Sequence, residues 1–158
     1  TFDGDFYQLK EAILLPRPAR AGGTRVLIGG NGEKRTLPLV ARYANEWNGV
    51  FIPPARYAEL NRRLTTLLEE QGRNPQEVRR SLMTRVVFGR DEHMLQAQLD
   101  EMGTTADAAR ERGIVVGTGS AVQEQLGKLA EAGVQRVMLQ WMALDDLDGL
   151  AALANTVL

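Results

Sequence analysis

Four short apolar runs, each leading straight into a helix-spaced segment, constrain the fold of this 158-residue chain more than any other feature. The runs are Arg25 to Gly30 (RVLIGG), Glu46 to Phe51 (EWNGVF), Ser81 to Gly89 (SLMTRVVFG) and Gln135 to Trp141 (QRVMLQW). Behind the first, Leu37, Val40, Ala41 and Ala44 make an i, i+3, i+4, i+7 stripe, the signature of a helix with one buried face. Behind the second, Tyr57, Leu60, Leu64, Leu67 and Leu68 repeat it, entered through Pro54 and closed by Gly72. Behind the third, Met94, Leu95, Leu99 and Met102 begin a helical region that runs into ADAARERG and SAVQEQLGKLAEAG; Ser120 and Gln123 read there as a capping box. Behind the fourth, Asp145 reads as the cap of a last helix carrying Leu147, Leu150 and Leu153.

Such alternation predicts an α/β fold of four parallel strands alternating with helices, joined by right-handed crossovers. The strands read as nearly continuous apolar runs, which predicts cover on both faces. Four units are half of a closed (β/α)8 TIM barrel and a short count for an open doubly wound sheet. Exposed sheet edges invite aggregation, so a missing half-barrel, a second copy of the chain or extra helices must cover them. The chain therefore reads as one partial domain over residues 1–158. Residues 1–24 form a pre-strand segment and Pro/Gly-rich loop, and residues 25–158 form four βα units.

Nineteen Lys and Arg against 20 Asp and Glu leave a net charge of -1, which argues against nucleic-acid binding. With no cysteine, disulfides, thiolate metal sites and cysteine nucleophiles are excluded. No apolar run approaches the ~20 residues a spanning helix needs, and the acidic start TFDGDFYQLKEA is no signal peptide. No membrane partner and a cytoplasmic setting are the resulting expectations.

The segment GGNGEK, Gly29 to Lys34, falls at the C-terminal end of the first run and at a helix start. Active sites of (β/α)8 barrels lie at that end of the strands. A helix N-terminus offers unpaired N–H groups and the positive end of a dipole, and glycines let an anion approach without a Cβ in the way. Lys34 and Arg35 place cations where acids would be commoner. A plain tight turn is the alternative. A dinucleotide fingerprint fails because Arg35 stands where the third glycine belongs, and no Gly-Lys-Ser/Thr follows for a Walker motif.

The ordered set IGGNG, ARYANEWN and VQRVMLQW, with FDGDFYQLKEAILLPRP, NPQEVRRSL and VVGTGSAVQEQLGKLAEAGV around it, resembles the second half of luciferase-like flavin and deazaflavin oxidoreductases. The resemblance runs from Phe2 to about Trp141 and implies the C-terminal half of a (β/α)8 barrel. It implies that Gly29, Gly30, Asn31 and Gly32 cradle a coenzyme phosphate, with Lys34 and Arg35 as nearby charge partners. Trp47, Asn48 and Trp141 become candidates for the pocket wall, against packing tryptophans as the plainer alternative. Met138 and Gln140 lie on the last strand, and one of them is expected to point into the barrel. The implied activity is hydride transfer or monooxygenation of a small organic substrate with reduced F-420 or FMN, the IGGNGEKRTL wording being closer to F-420 users. The family's first four strands, which supply most acid/base residues, have no counterpart here. No catalytic residue is assigned, and the expected partner is the N-terminal half-barrel or a second copy in a homodimer. A non-catalytic half-barrel that binds a phosphate ligand or assembles with partners is the alternative.

His93, the only histidine, reads as an exposed helical residue. Asp145, Asp146 and Asp148 suit a helix start better than a metal, and no metal site is expected. Ser81 and Ser120 lack the histidine that a nucleophile would need.

Overall fold

The computed structural model describes residues 1–13 and 15–158. A two-stranded antiparallel ribbon, β1 (Phe2–Asp3) and β2 (Gln8–Leu9), opens the chain. Then follow β3 (Leu27–Gly29), α1 (Thr36–Tyr43), β4 (Glu46–Val50), α2 (Pro54–Glu70), β5 (Arg79–Phe88), α3 (Glu92–Glu101), α4 (Ala106–Glu111), β6 (Val115–Gly117), α5 (Gly119–Glu131), β7 (Arg136–Gln140) and α6 (Leu147–Val157). Strands β3 to β7 make one five-stranded sheet in which every pairing is parallel.

The expected four strands are present in the order β3-β4-β5-β7, and β6 is an addition. Strand β5 is ten residues long, twice the length of its neighbours β4 and β7. Strand β4 pairs with its residues Arg79 to Met83, β7 with Ser81 to Arg85, and β6 with its last three residues, Val86 to Phe88. The VVG triplet is too short to announce a strand by pattern.

The two helical stripes behind the first two runs are the core. Leu37, Val40, Ala41 and Ala44 of the α1 segment, and Tyr57, Leu60, Leu64, Leu67 and Leu68 of α2, are all buried. Helix α2 enters through Pro54 and ends at Gly72 (φ +67), whose N–H reaches Glu69 O while that of Arg73 reaches Leu68 O. This is the glycine-closed helix end. The Arg73 guanidinium donates to the carbonyls of Ala41 and Ala44 at 2.9 Å, capping α1 from its neighbour.

The two sheet faces differ. In-register residues share a face, so Trp47, Leu82 and Val137 lie towards the helices and Glu46, Asn48, Ser81 and Arg136 lie on the other side. Helices α3 and α4 cover that other side only at the far end of β5, where Leu95, Leu99 and Ala109 enclose Val87 and Val116. The expectation of two apolar faces is corrected: one face is apolar, and the other is polar in its lower half and partly open.

Three local expectations are also corrected. Thr118, not Ser120, is the N-cap residue of α5, and no capping box forms; Ser120 is exposed. Asp146, not Asp145, caps α6, accepting from Gly149 N–H at 2.8 Å. Of the three α6 leucines only Leu153 is buried, while Leu147 and Leu150 are exposed.

Candidate functional site

The glycine turn begins where β3 stops. Gly30 has φ +124, open in practice to glycine alone, and its N–H still donates to Asn48 O at 2.9 Å. Beyond it the main chain leaves the sheet, and the Asn31 side chain takes its place. Asn31 Nδ2 donates to Val50 O at 2.6 Å, and Asn31 Oδ1 accepts from Val50 N–H at 2.9 Å. A carboxamide carries the donor and acceptor of a peptide group, so β4 keeps its edge paired after β3 has gone.

From beneath, Trp47 Nε1 donates to Gly30 O at 2.9 Å. The indole is 0% exposed and stacks on the Tyr57 ring, centroids 4.7 Å apart, on the helix side of the sheet. Trp47 thus supports the turn rather than facing an open cavity. The turn is pinned at both polar groups of Gly30 and through Asn31.

Helix α1 starts just beyond. Its N-cap, Arg35, makes no side-chain cap bond, and its first turn holds no acid. Leu37 N–H reaches back to Gly32 O at 3.0 Å, whereas the N–H groups of Gly32 to Thr36 find no acceptor among the described residues. Unpaired donors at the positive end of a helix favour an anion. A Cβ at Gly29 would meet nothing closer than Asn48 O at 3.9 Å, so that glycine fronts open space. Lys34 and Arg35 are exposed and make no ion pair among the described residues, while Glu33 is drawn away to Arg56.

On the open face, Ser81 Oγ donates to Glu46 Oε1 at 2.6 Å and accepts from Asn48 Nδ2 at 3.0 Å. Arg136 donates to the same Glu46 oxygen at 2.6 Å. Asn48, 5% exposed, therefore has its amide engaged within the sheet. This network was not visible in the sequence, because only the parallel register brings residues 46, 48, 81 and 136 together. Tyr57 Oη donates to Ser81 O at 3.3 Å from the helix side, and burial pushes its phenol above the usual range.

At the C-terminal strand ends, Met138 and Gln140 are in register with Met83 and Arg85. Both lie on the open face, as residues two apart on a strand must, which corrects the expectation that only one would. Trp141 is partly buried, with Nε1 donating to Ala143 O at 2.7 Å, and lines a cavity of about 310 Å³ with Arg85. The sequence-predicted residues therefore fall into two groups: Gly29 to Gly32 with Trp47 and Asn48 on β3 and β4, and Trp141 three strands along. His93 is exposed on α3, as expected.

No described helix is long and apolar enough to cross a membrane. Comparison with solved structures places the fold among half-matched barrels. A monooxygenase from Streptomyces bottropensis superposes with a TM-score of 0.75 at 17% identity, covering 98% of this chain and 54% of the other. An F-420-dependent secondary alcohol dehydrogenase in complex with an F-420–acetone adduct gives 0.72 at 18% identity, covering 88% and 49%. An EDTA monooxygenase from Chelativorans sp. gives 0.71 at 11% identity, covering 99% and 48%. The chain thus spans about half the length of these structures, as a half-barrel does. No curated protein gives a significant match. The sequence profile of the luciferase-like monooxygenases matches residues 1–113, most of the chain and all of the glycine turn, and the protein belongs to that family.

Proposed function

We propose that this chain is the coenzyme-phosphate-binding half of an oxidoreductase that acts on a small organic substrate with a reduced deazaflavin or flavin. The observation that carries the reading is the pinned turn Gly29–Gly32. It stands at a strand's C-terminal end, before a helix with unpaired N–H groups, with a glycine facing open space. Gly29, Gly30, Asn31 and Gly32 would hold the phosphate, with Lys34 and Arg35 adding charge, Trp47 and Asn48 fixing the turn, and Trp141 standing beside the substrate space. The bound coenzyme supplies the redox chemistry, hydride transfer or oxygen activation, and the protein supplies orientation. F-420 is favoured by the IGGNGEKRTL wording, and FMN is the second reading. The open face of Glu46, Ser81 and Arg136 is closed by the other half of a barrel or by a second copy of the chain.

Gly29→Ala tests the cradle cleanly. Its Cβ has room in the protein, so the fold is kept, yet it would stand where the phosphate must come. A loss of about tenfold or more in coenzyme affinity is expected, the scale of one charge-assisted hydrogen bond. Unchanged affinity for both F-420 and FMN would remove the turn from the site.

A further inference from the structure

We propose that Arg85 anchors the carboxylate of a small, largely apolar ligand at the C-terminal strand ends, selecting acidic substrates. Two arginines of β5 stand in contrast. Arg80 is buried on the helix side and spends its guanidinium on Asn61, Pro75, Val78 and Thr65. Arg85 makes no side-chain hydrogen bond or ion pair among the described residues, and its Nε is buried without an acceptor. Buried donors in folded proteins are almost always paired, so this guanidinium keeps donor capacity that the described residues leave unused.

The surroundings say what kind. Arg85 pairs in register with Gln140 on the open face and lines the cavity of about 310 Å³. Met102, Trp141, Met142 and Ala143 supply the apolar half of its lining, and Arg85 is the one cation among the described residues lining it. Gln98 directs its amide to Phe88 O at 2.9 Å, and Glu101, which also lines the cavity, is exposed and makes no ion pair with Arg85. A planar guanidinium fork fits a carboxylate edge to edge. A single guanidinium suits a monoanion. The glycine turn lies two strands away, roughly 10 Å by sheet spacing, so the two anions would not share a site. The substrate role rests on the proposed coenzyme reading, whereas the carboxylate site can be measured without it.

The test uses Trp141 as reporter, since Trp47 is sealed beneath the turn. Tryptophan emission of the purified chain is titrated with hexanoate, hexanamide and acetate, for wild type, Arg85→Gln and Arg85→Lys. Hexanoate should bind saturably, with hexanamide and acetate each weaker by about tenfold or more. Arg85→Gln should lose the preference for hexanoate over hexanamide, and Arg85→Lys should keep part of it. Equal binding of hexanoate and hexanamide by the wild type, no hexanoate binding, or an undiminished preference in Arg85→Gln would overturn the proposal. Acetate binding as well as hexanoate would overturn it too, since Arg85 would then await any acid, including one from another chain segment. If Arg85→Gln does not fold, the wild-type comparison decides alone. Parallel titration with F-420 and FMN separates the two readings. Coenzyme binding without hexanoate binding overturns only the carboxylate site, and hexanoate binding without coenzyme binding counts only against the cradle.

Discussion

Replacing Asn31 should show that a side chain is standing in for backbone. Asn31→Ala removes two hydrogen bonds, to Val50 O at 2.6 Å and from Val50 N–H at 2.9 Å. At about 0.5–1.5 kcal/mol each the loss is about 1–3 kcal/mol, towards the upper end because both groups are partly buried and left unpaired. For a chain of this size that lowers Tm by roughly 2–12 °C. Asn31→Asp is the sharper probe. Its carboxylate can still accept from Val50 N–H, but its second oxygen faces the Val50 carbonyl where a donor stood. At pH 7 it should be no more stable than Asn31→Ala, although it is nearly isosteric with the native residue. Protonation restores the donor, so the folded state raises this carboxyl above its ordinary value of about 3.9. The folded protein then binds the extra proton first, and the deficit relative to wild type should shrink as pH falls through the raised pKa. Thermal unfolding by circular dichroism at pH 7 and near pH 4 measures both effects. An Asn31→Asp protein as stable as wild type at pH 7 would refute the reasoning.

Three further outcomes follow from particular contacts. Gly113 has φ +77, and a Cβ there would lie 2.4 Å from Ile52 N, so Gly113→Ala should cost about 3 kcal/mol or more in urea unfolding. Gly30→Ala should cost about 1–3 kcal/mol in stability through its φ of +124 as well as coenzyme affinity, whereas Gly29→Ala should cost affinity alone; equal stability of the two variants would count against the turn geometry. Burial holds the Tyr57 phenol above its ordinary value, so the stability it contributes is fully present below about pH 10 and lost as pH rises beyond. Tyr57→Phe should flatten that alkaline decline, and an unchanged slope in denaturation against pH would contradict it.

The helices were legible wherever apolar spacing had to bury a face. The α1 and α2 stripes lie in the core residue for residue, because one helix face admits little ambiguity. The last helix was less so. Leu147 and Leu150 fit the spacing, yet the described residues bury only Leu153, and nothing in a single sequence says whether a neighbouring surface exists. Cap residues slipped by one or two positions, Thr118 for Ser120 and Asp146 for Asp145, because adjacent capping-competent residues compete and the outcome depends on where the preceding loop delivers the chain. Strand β6 escaped because three residues carry no periodicity. At the site, the glycine turn could be read locally, but the tryptophan beneath it could not. Whether Trp47 faces a cavity or a helix depends on strand parity, which the EWNGVF run alone leaves open. The Glu46–Ser81–Arg136 network and the unpaired Arg85 depend on register between strands far apart in sequence, and so emerged only from the structure.

The central claim is that the Gly29–Gly32 turn, as this chain folds it, is a working phosphate cradle for a flavin-type coenzyme. The most direct test is a fluorescence titration of the purified, folded chain with F-420 and with FMN. Saturable binding of one of them, weakened by Gly29→Ala, is the expected result, and the coenzyme that binds identifies the chemistry. Binding of neither by a folded chain would contradict the claim that this turn carries the phosphate site.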